Sequence, residues 1–466
     1  MRFAAVAAAA WAMAGCGEHH AGPDAPPDPD QVVAELQALP GVTAQVVPTA
    51  DPGVTYIVLE FTQPVDHDDP NSATFQEEVS LLHRDVGAPM IVHTSGYWDY
   101  YLDDEVELTR MFAANQISIE HRFFGTSRPD PADWSKLTIA QMAADEHAII
   151  AALQTIYRGP FVTTGASKGG MTAAFHRRFY PSDVVGTVPY VAPLSFGAPD
   201  ERYPAFVASV GTPACHQGVR DLAVEMLQNR RAMLETQAMT EATNQGYSYS
   251  RIAIGPAVES AVDQLEWSFW QYHGVDDCPN VPGTTATDAD VWAFLGMISP
   301  VSGSDDTQSA EFEAWVYQAY FQLGFPDGGT DYLAPYEIYS DSDYDGAFPV
   351  GVALPTFDGG TAMHDIDSYV QSSGDNLIFI YGQWDPWTGG AFTLGGATNS
   401  QELVAPMGTH NADIGALSTD DEASAIAVLE QWTGTTASLP QGRIAASHSA
   451  PHVPPAALRA LRSRRH

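Results

Sequence analysis

Positive charge is scarce in this sequence: lysine and arginine number 20 against 58 aspartate and glutamate residues, for a formal net charge of −38. A field of this sign repels the phosphates of nucleic acids and the anionic face of a membrane. We therefore expect no nucleic-acid partner, and an acidic, solvated surface suited to an extracellular or salty medium. Attraction of cationic substrates is the alternative interpretation of the same charge.

Cysteine is also scarce, with three in 466 residues. Cys16 lies in an N-terminal leader, which leaves Cys215 and Cys278 as an even pair. In an oxidising compartment such a pair predicts one disulfide. Two cysteines are too few soft ligands for a metal site by themselves. We predict neither a metal nor another cofactor.

The apolar run at the start of the chain is short. Arg2 is followed by apolar residues over 3–14 and then by small residues up to Cys16, a pattern typical of an export signal. The run is too short to span a bilayer as a helix of the mature protein. We expect residues 1–16 to be a signal peptide and the protein to be exported, to the cell envelope or to the medium.

The end of this leader predicts a lipid anchor. The residues Met13-Ala14-Gly15-Cys16 resemble a bacterial lipobox, in which the cysteine is lipidated and becomes the new N-terminus. Met13 stands where leucine is usual, so free secretion is the alternative. Residues 17–30, rich in Pro, Gly, His and Asp, predict a flexible linker. The membrane contact that we expect is therefore confined to Cys16.

The length of the chain and its 45% hydrophobic residues predict more than one simple domain. Short β-rich runs alternate with helical stretches, which is typical of a mostly parallel sheet covered by helices. Such runs occur at 56–61, 78–83, 90–93, 117–120, 161–164, 184–191, 376–381 and 402–406.

The alternation breaks down over residues 199–367, where helical stretches and many Trp and Tyr residues occur. We interpret this region as a large, mainly helical cap, inserted after the sixth strand. It divides the sheet domain into residues 31–198 and 368–440. Residues 441–466 hold five of the 20 basic residues and show no core-like pattern, so we expect a mobile basic tail that binds the acidic body.

The candidate nucleophile is Ser167. The run 161–164 leads into Gly165-Ala-Ser167-Lys-Gly169, and the residues after it are compatible with a helix. A sharp strand-to-helix turn of this form lifts the serine above the sheet edge, and bulkier residues than glycine would collide there. The same turn directs the backbone N–H of Lys168 toward an oxyanion. For the Lys168 side chain we expect solvation.

The candidate acid and base follow late strands, in the chain order that α/β-hydrolases require. Asp385 comes directly after the run 376–381, and His410 follows the next run. The histidine would accept the proton of Ser167, while the aspartate would fix the tautomer of the histidine. Asp413 as the acid, and His364 or His273 as the base, are weaker candidates because they break this order.

A second oxyanion donor is expected from the loop after the buried run 90–93. The backbone N–H of Tyr97 is our candidate, and that of Gly96 is the alternative. An acidic string at 341–346 resembles the start of an EF-hand loop, but its twelfth position is Val352 in place of glutamate. We interpret this string as an acidic surface turn.

The motifs together resemble those of secreted bacterial prolyl tri- and tetrapeptidyl aminopeptidases, and more distantly those of prolyl carboxypeptidase and dipeptidyl peptidase II. The matching pieces are EHRFFGTSRP at 120–129, GASKGG at 165–170, VPYVAP at 188–193, QWDPW at 383–387 and THNAD at 409–413. The resemblance implies an α/β-hydrolase fold and a serine peptidase that releases short peptides from free N-termini, with proline before the cleaved bond. Lys168 departs from the distant relatives, which carry an aromatic residue there.

An exopeptidase of this kind needs a carboxylate for the substrate ammonium. Glu120 is our candidate, with cap acids such as Asp200 or Glu201 as others; a buried pairing of Glu120 with Arg122 or Arg128 is the alternative. Trp98 and Trp387 are candidates for stacking on a proline ring, although core packing is the default role for either residue. An esterase on the same fold, or a binding protein with an inactive triad, are the rival functions.

Overall fold

The computed structural model describes residues 29–438 and 451–464. The predicted signal peptide, the lipidation of Cys16 and nearly all of the linker lie outside these residues. Within the two described ranges, no helix is long and apolar enough to cross a bilayer.

A nine-stranded sheet forms the centre of the described molecule, in the order β1-β2-β3-β5-β4-β6-β7-β8-β9. Strands β1, β2 and β3 pair antiparallel along one side, and β5 begins a parallel block that extends to β9. The strands are β1 (Val42–Val47), β2 (Thr55–Pro64), β3 (Thr74–His83), β4 (Met90–Thr94), β5 (Asn115–Ile119), β6 (Phe161–Ala166), β7 (Gly186–Tyr190), β8 (Ile378–Gly382) and β9 (Gln401–Ala405).

The central strands are continuous buried runs because helices cover both faces of the parallel block. The helices of the described residues are α1 (Pro29–Gln37), α2 (Glu107–Phe112), α3 (Ile139–Leu153), α4 (Lys168–Phe179), α5 (Arg202–Val207), α6 (Pro213–Asn229), α7 (Arg231–Gln245), α8 (Ile254–Asp263), α9 (Leu265–Tyr272), α10 (Asp288–Ile298), α11 (Asp306–Gln318), α12 (Thr361–Ser373), α13 (Thr419–Thr433) and α14 (Pro455–Arg462). The predicted α/β-hydrolase fold is confirmed by this arrangement.

Strand β1 was not predicted, and it changes the number of strands that precede the cap. The residues of β1 alternate between half-buried and exposed on the sheet edge, so they carry little apolar signal. Seven strands precede the cap instead of the predicted six. The cap still follows the predicted run 184–191, which contains β7, and only the count of strands before it is corrected.

The cap follows β7 and contains helices α5 to α11, and its hydrophobic core continues into sheet-domain residues such as Tyr97, Phe124 and Trp387. A disulfide joins Cys215 of α6 to Cys278. The predicted boundary at 367/368 falls inside α12, whose Met363, Ile366 and Val370 pack with the sheet residues Leu377 and Phe379. The structure therefore places the return to the sheet domain before α12.

The predicted mobile tail is corrected for residues 451–464. These residues include helix α14, whose Leu458 and Leu461 are buried in the core of the cap. The sequence of the tail shows no pattern of large apolar residues because the buried face of α14 consists mostly of alanine and proline. Three of its arginines contact acidic side chains of the cap. These pairs are Arg459 with Glu337, Arg462 with Asp263 and Arg464 with Asp345.

Candidate active site

Ser167 stands on the predicted strand-to-helix turn, between β6 and α4. Its backbone adopts φ 56° and ψ −123°, a region that residues with side chains rarely occupy. A Cβ atom at Gly165 would lie 2.5 Å from the Gly169 carbonyl carbon, and one at Gly169 would lie 2.3 Å from the Thr94 oxygen. Glycine at both positions is therefore required by the close approach of backbones around the serine.

Asp385 and His410 are in direct contact. Nδ1 of His410 lies 2.7 Å from Oδ2 of Asp385, and the two residues are 2% and 0% exposed. The second carboxylate oxygen accepts the Trp387 N–H at 3.0 Å, so the aspartate is held from both sides. A carboxylate at Nδ1 favours the tautomer with its proton there, which leaves Nε2 as the basic nitrogen.

The three residues come from the same edge of the sheet. Ser167, Asp385 and His410 follow the carboxyl ends of β6, β8 and β9, which are parallel strands of the same block. The Trp387 ring is 6.3 Å from the ring of His410 and lines the same pocket as Ser167. The cap helps to position His410, since the backbone carbonyl of Gln271 accepts the backbone N–H of His410 at 2.8 Å.

Tyr97 reaches Ser167 through its hydroxyl group. The Tyr97 backbone N–H, which we predicted as an oxyanion donor, donates to Ser95 Oγ at 3.3 Å. Its hydroxyl lies within hydrogen-bonding reach of Ser167, and burial raises the pKa of Tyr97 well above its usual range. A buried phenol that stays protonated is a hydrogen-bond donor. The Tyr97 hydroxyl is therefore a better candidate for the oxyanion donor than the Tyr97 backbone N–H.

Lys168 is buried, contrary to the expected solvation. Its Nζ donates to the Gly96 carbonyl at 2.6 Å and lies 5.0 Å from the Phe124 ring centre. Burial moves the pKa of Lys168 well below its usual range, although the carboxylate of Glu146 opposes this shift. Its backbone N–H occupies the first position of α4, where the helix itself provides no acceptor. The side chain thus ties the Gly96–Tyr97 loop to the nucleophile turn.

A largely apolar pocket opens beside Ser167. Trp387 belongs to it, as predicted for a stacking residue, whereas Trp98 packs edge-on against Phe312 at 5.3 Å and does not line it. The lining residues are Tyr97, Ser167, Lys168, Met171, Pro193, Ser195, Trp315, Ala319, Leu323, Gly324, Trp387 and Val453. Sequence reasoning missed Met171, Leu323 and Val453, which carry no chemical signal; the abundance of cap aromatics pointed only generally to Trp315.

Glu120 has a structural role in place of the predicted substrate contact. Its Oε1 accepts the N–H groups of Thr126 and Ser127 at 2.7 and 2.8 Å, and its Oε2 accepts the Asp99 N–H at 3.1 Å. The residue is 4% exposed and does not line the pocket. The alternative pairing with an arginine was also wrong, because these donors are backbone groups.

Both arginines of that alternative have other partners. The guanidinium of Arg122 pairs with Asp145, and that of Arg128 with Glu313. Of the cap acids, Asp200 is paired with Arg202, while Glu201 is exposed. Neither cap acid lines the pocket at Ser167.

The weaker candidates lie elsewhere. His364 stacks on Phe196 at 4.2 Å, and His273 contacts Asp277 at 3.1 Å. Asp413 follows His410 and precedes a 3₁₀ turn. The acidic string at 341–346 forms a 3₁₀ turn that is capped by Asp343. None of these residues lines the pocket at Ser167.

Comparison with known proteins yields matches over most of the chain. The profile of the PS-10 peptidase S37 family matches residues 25–456. The prolyl tri/tetrapeptidyl aminopeptidase of Streptomyces mobaraensis is 38% identical over 387 residues, which cover 82% of this chain and 81% of that protein. The lysosomal Pro-X carboxypeptidase of Bos taurus is 25% identical over 401 residues, with coverage of 73% and 77%. The solved structure of proline iminopeptidase from Mycobacterium smegmatis aligns over 83% of this chain and 97% of that chain, at 15% identity and a TM-score of 0.34.

Proposed function

The chain belongs to the PS-10 peptidase S37 family and is a serine peptidase, and we propose that it releases tripeptides or tetrapeptides from free N-termini. We further propose that proline precedes the cleaved bond. The relative from Streptomyces mobaraensis, a prolyl tri/tetrapeptidyl aminopeptidase by name, supports this choice of substrate. The pocket beside Ser167 has Trp315 and Trp387 among its walls, and these rings offer aromatic faces on which a proline ring can pack.

The observation that carries the proposal is the buried contact between His410 and Asp385 at the sheet edge that holds Ser167. In the first step, the Oγ atom of Ser167 bonds to the substrate carbonyl carbon, and Nε2 of His410 takes its proton. The negatively charged Asp385 stabilises the imidazolium that forms. The tetrahedral intermediate then collapses, the C–N bond breaks, and His410 protonates the leaving amine.

The second half of the reaction releases the short peptide. Water attacks the acyl-enzyme while His410 accepts one of its protons, and the Oγ atom of Ser167 leaves with that proton returned to it. The carbonyl oxygen carries negative charge in both tetrahedral intermediates. We propose that the Lys168 backbone N–H and the Tyr97 hydroxyl donate to this oxygen, because both lie at Ser167 and neither must reorganise.

Export is part of the proposed function. The disulfide between Cys215 and Cys278 supports it, because such bonds persist in oxidising compartments. The leader pattern over residues 1–16 supports the same conclusion. Whether Cys16 carries a lipid stays a prediction, which mass spectrometry of the mature N-terminus would test.

A fluorophosphonate probe tests the catalytic assignment. We expect covalent labelling of the native protein at Ser167, no labelling of Ser167→Ala, and loss of peptide turnover in that variant with nearly unchanged thermal stability. Ser209→Ala removes an exposed hydroxyl of the cap and should retain both properties. Labelling that persists in folded Ser167→Ala would contradict the assignment.

Mass spectrometry of a peptide library tests the substrate. We expect products of three or four residues that end in proline and arise only from peptides with a free N-terminus. Acetylated peptides serve as the matched control. Cleavage of simple acyl esters without cleavage of any such peptide would overturn the proposed substrate class.

A further inference from the structure

The segment 451–464, here called the strap, reaches the pocket at Ser167 from a distant part of the chain. Its Val453 is half-buried and lines that pocket together with Trp315 and Trp387. The same residue lines a second cavity, on the cap side, with Ser268 and Ile298. Val453 therefore stands between two cavities, and the size of its side chain limits the extent of the pocket at Ser167.

The strap also passes close to the candidate base. The ring of His452 stacks on Tyr272, with ring centres 4.0 Å apart and planes 6° apart. Tyr272 in turn presents an edge to His410 at 6.0 Å. The stack of His452 on Tyr272 stabilises this part of the strap. This contact holds the residue directly before Val453 in place over the site.

The other end of the strap is fixed to the cap by apolar and ionic contacts. Leu458 and Leu461 are 3% and 0% exposed, and the burial of their apolar side chains stabilises this end of the strap. Arg462 and Asp263, both almost fully buried, form an ion pair at 2.9 Å. The Ala456 N–H donates to Ser304 Oγ at 3.1 Å. Because the strap is anchored on both sides of Val453, this side chain is held in a fixed position at the border of the pocket.

We propose that Val453 is a specificity-determining residue, which restricts the pocket at Ser167 to a side chain about the size of a proline ring. The inference rests on the proposed function. The carbonyl attacked by Ser167 belongs to the residue before the cleaved bond, so the side chain of that residue enters the adjoining pocket. Walls from α4, α11 and the loop after β8 are shared with the cap and sheet cores, whereas the strap supplies only this valine.

The test compares two tripeptide p-nitroanilides with free N-termini, one ending in proline and one in phenylalanine. Val453→Ala removes two methyl-sized groups from the wall, and each methylene in an apolar pocket changes discrimination by roughly tenfold or more. We expect the ratio of kcat/KM for the proline over the phenylalanine substrate to fall by at least about tenfold. Val453→Phe, which fills the pocket, should raise KM for the proline substrate.

Val350→Ala makes the same chemical change at a cap valine that is 79% exposed, and it should leave the ratio unchanged. An unchanged ratio in folded Val453→Ala would overturn the inference. This includes the case in which kcat/KM rises by the same factor for both substrates, because the strap would then obstruct the site without selecting between side chains. Failure of the wild-type protein to cleave either substrate would instead contradict the proposed function.

Discussion

The carboxyl edge of the sheet and the cap make different contributions to the same site. At the sheet edge, polar groups stand where strands end, and hydrogen bonds fix them, as between His410 and Asp385 at 2.7 Å. On the cap side, the pocket is bounded by apolar side chains such as Trp315 and Val453. The sheet domain thus carries the proposed reacting groups together with part of the pocket wall, such as Trp387, and the cap and the strap complete that wall.

Both regions contain buried ion pairs, and the cap has a disulfide in addition. Beside the sheet, Arg122 is fully buried, pairs with Asp145, and donates to the Val65 and Lys136 carbonyls at 3.0 and 2.9 Å. The cap is closed by a disulfide and by the arginines of the strap. A buried ion pair with all donors used resists local opening because the loss of either partner would leave an uncompensated charge. The cap holds another buried ion pair, Arg462 with Asp263, so both regions resist local opening in this way.

The largest effect that we expect at the sheet edge comes from Asp385→Asn. The amide cannot hold the same histidine tautomer, so kcat should fall by about 10⁴-fold while KM changes little. Steady-state kinetics on a proline-containing tripeptide anilide measures this effect. Asp365→Asn, at an exposed helix position, is the matched control. A decrease in kcat of less than tenfold would contradict the assignment of catalysis to this edge of the sheet.

A smaller decrease in kcat is expected from Tyr97→Phe, since this substitution removes only one proposed donor to the oxyanion. Loss of such a donor lowers kcat by about 10²–10³-fold with KM nearly unchanged. Tyr157→Phe removes another buried tyrosine hydroxyl, which contacts His83 away from the site, and should retain activity. If Tyr97→Phe raised KM alone, the hydroxyl would belong with the binding pocket, and the division between the two regions would need revision.

The smallest effect on the catalytic residues is expected from the double variant Cys215→Ala/Cys278→Ala, which changes stability instead. The disulfide closes a loop over a sequence separation of 63, and its removal should lower the free energy of unfolding by about 2–4 kcal/mol. Thermal or denaturant unfolding measures the change, with Ser209→Ala as a control for substitution in the cap. Fluorophosphonate labelling of Ser167 should persist, because the disulfide belongs to the cap. Loss of labelling in a folded variant would mean that the sheet edge depends on the cap.

Local patterns predicted where the candidate triad residues lie, after the ends of their strands. The Ser167 turn is encoded by a strand, two glycines and a helix that adjoin in sequence, and the acid and base follow their strands directly. The roles of Glu120 and Lys168 were not predictable in this way. A buried carboxylate that braces a loop and one that binds an ammonium are the same residue type, and only the positions of the Thr126 and Ser127 N–H groups distinguish them.

The amino-acid order by itself determined the parallel sheet, the inserted cap and the chain order of Ser167, Asp385 and His410, because these depend on periodicity and on strand ends. Only the tertiary structure decided that the Tyr97 hydroxyl faces Ser167, that Lys168 is buried, and that Val453 borders the pocket. The physical reason is that such contacts join residues far apart in sequence. Their energies depend on distances that arise only once the elements have packed.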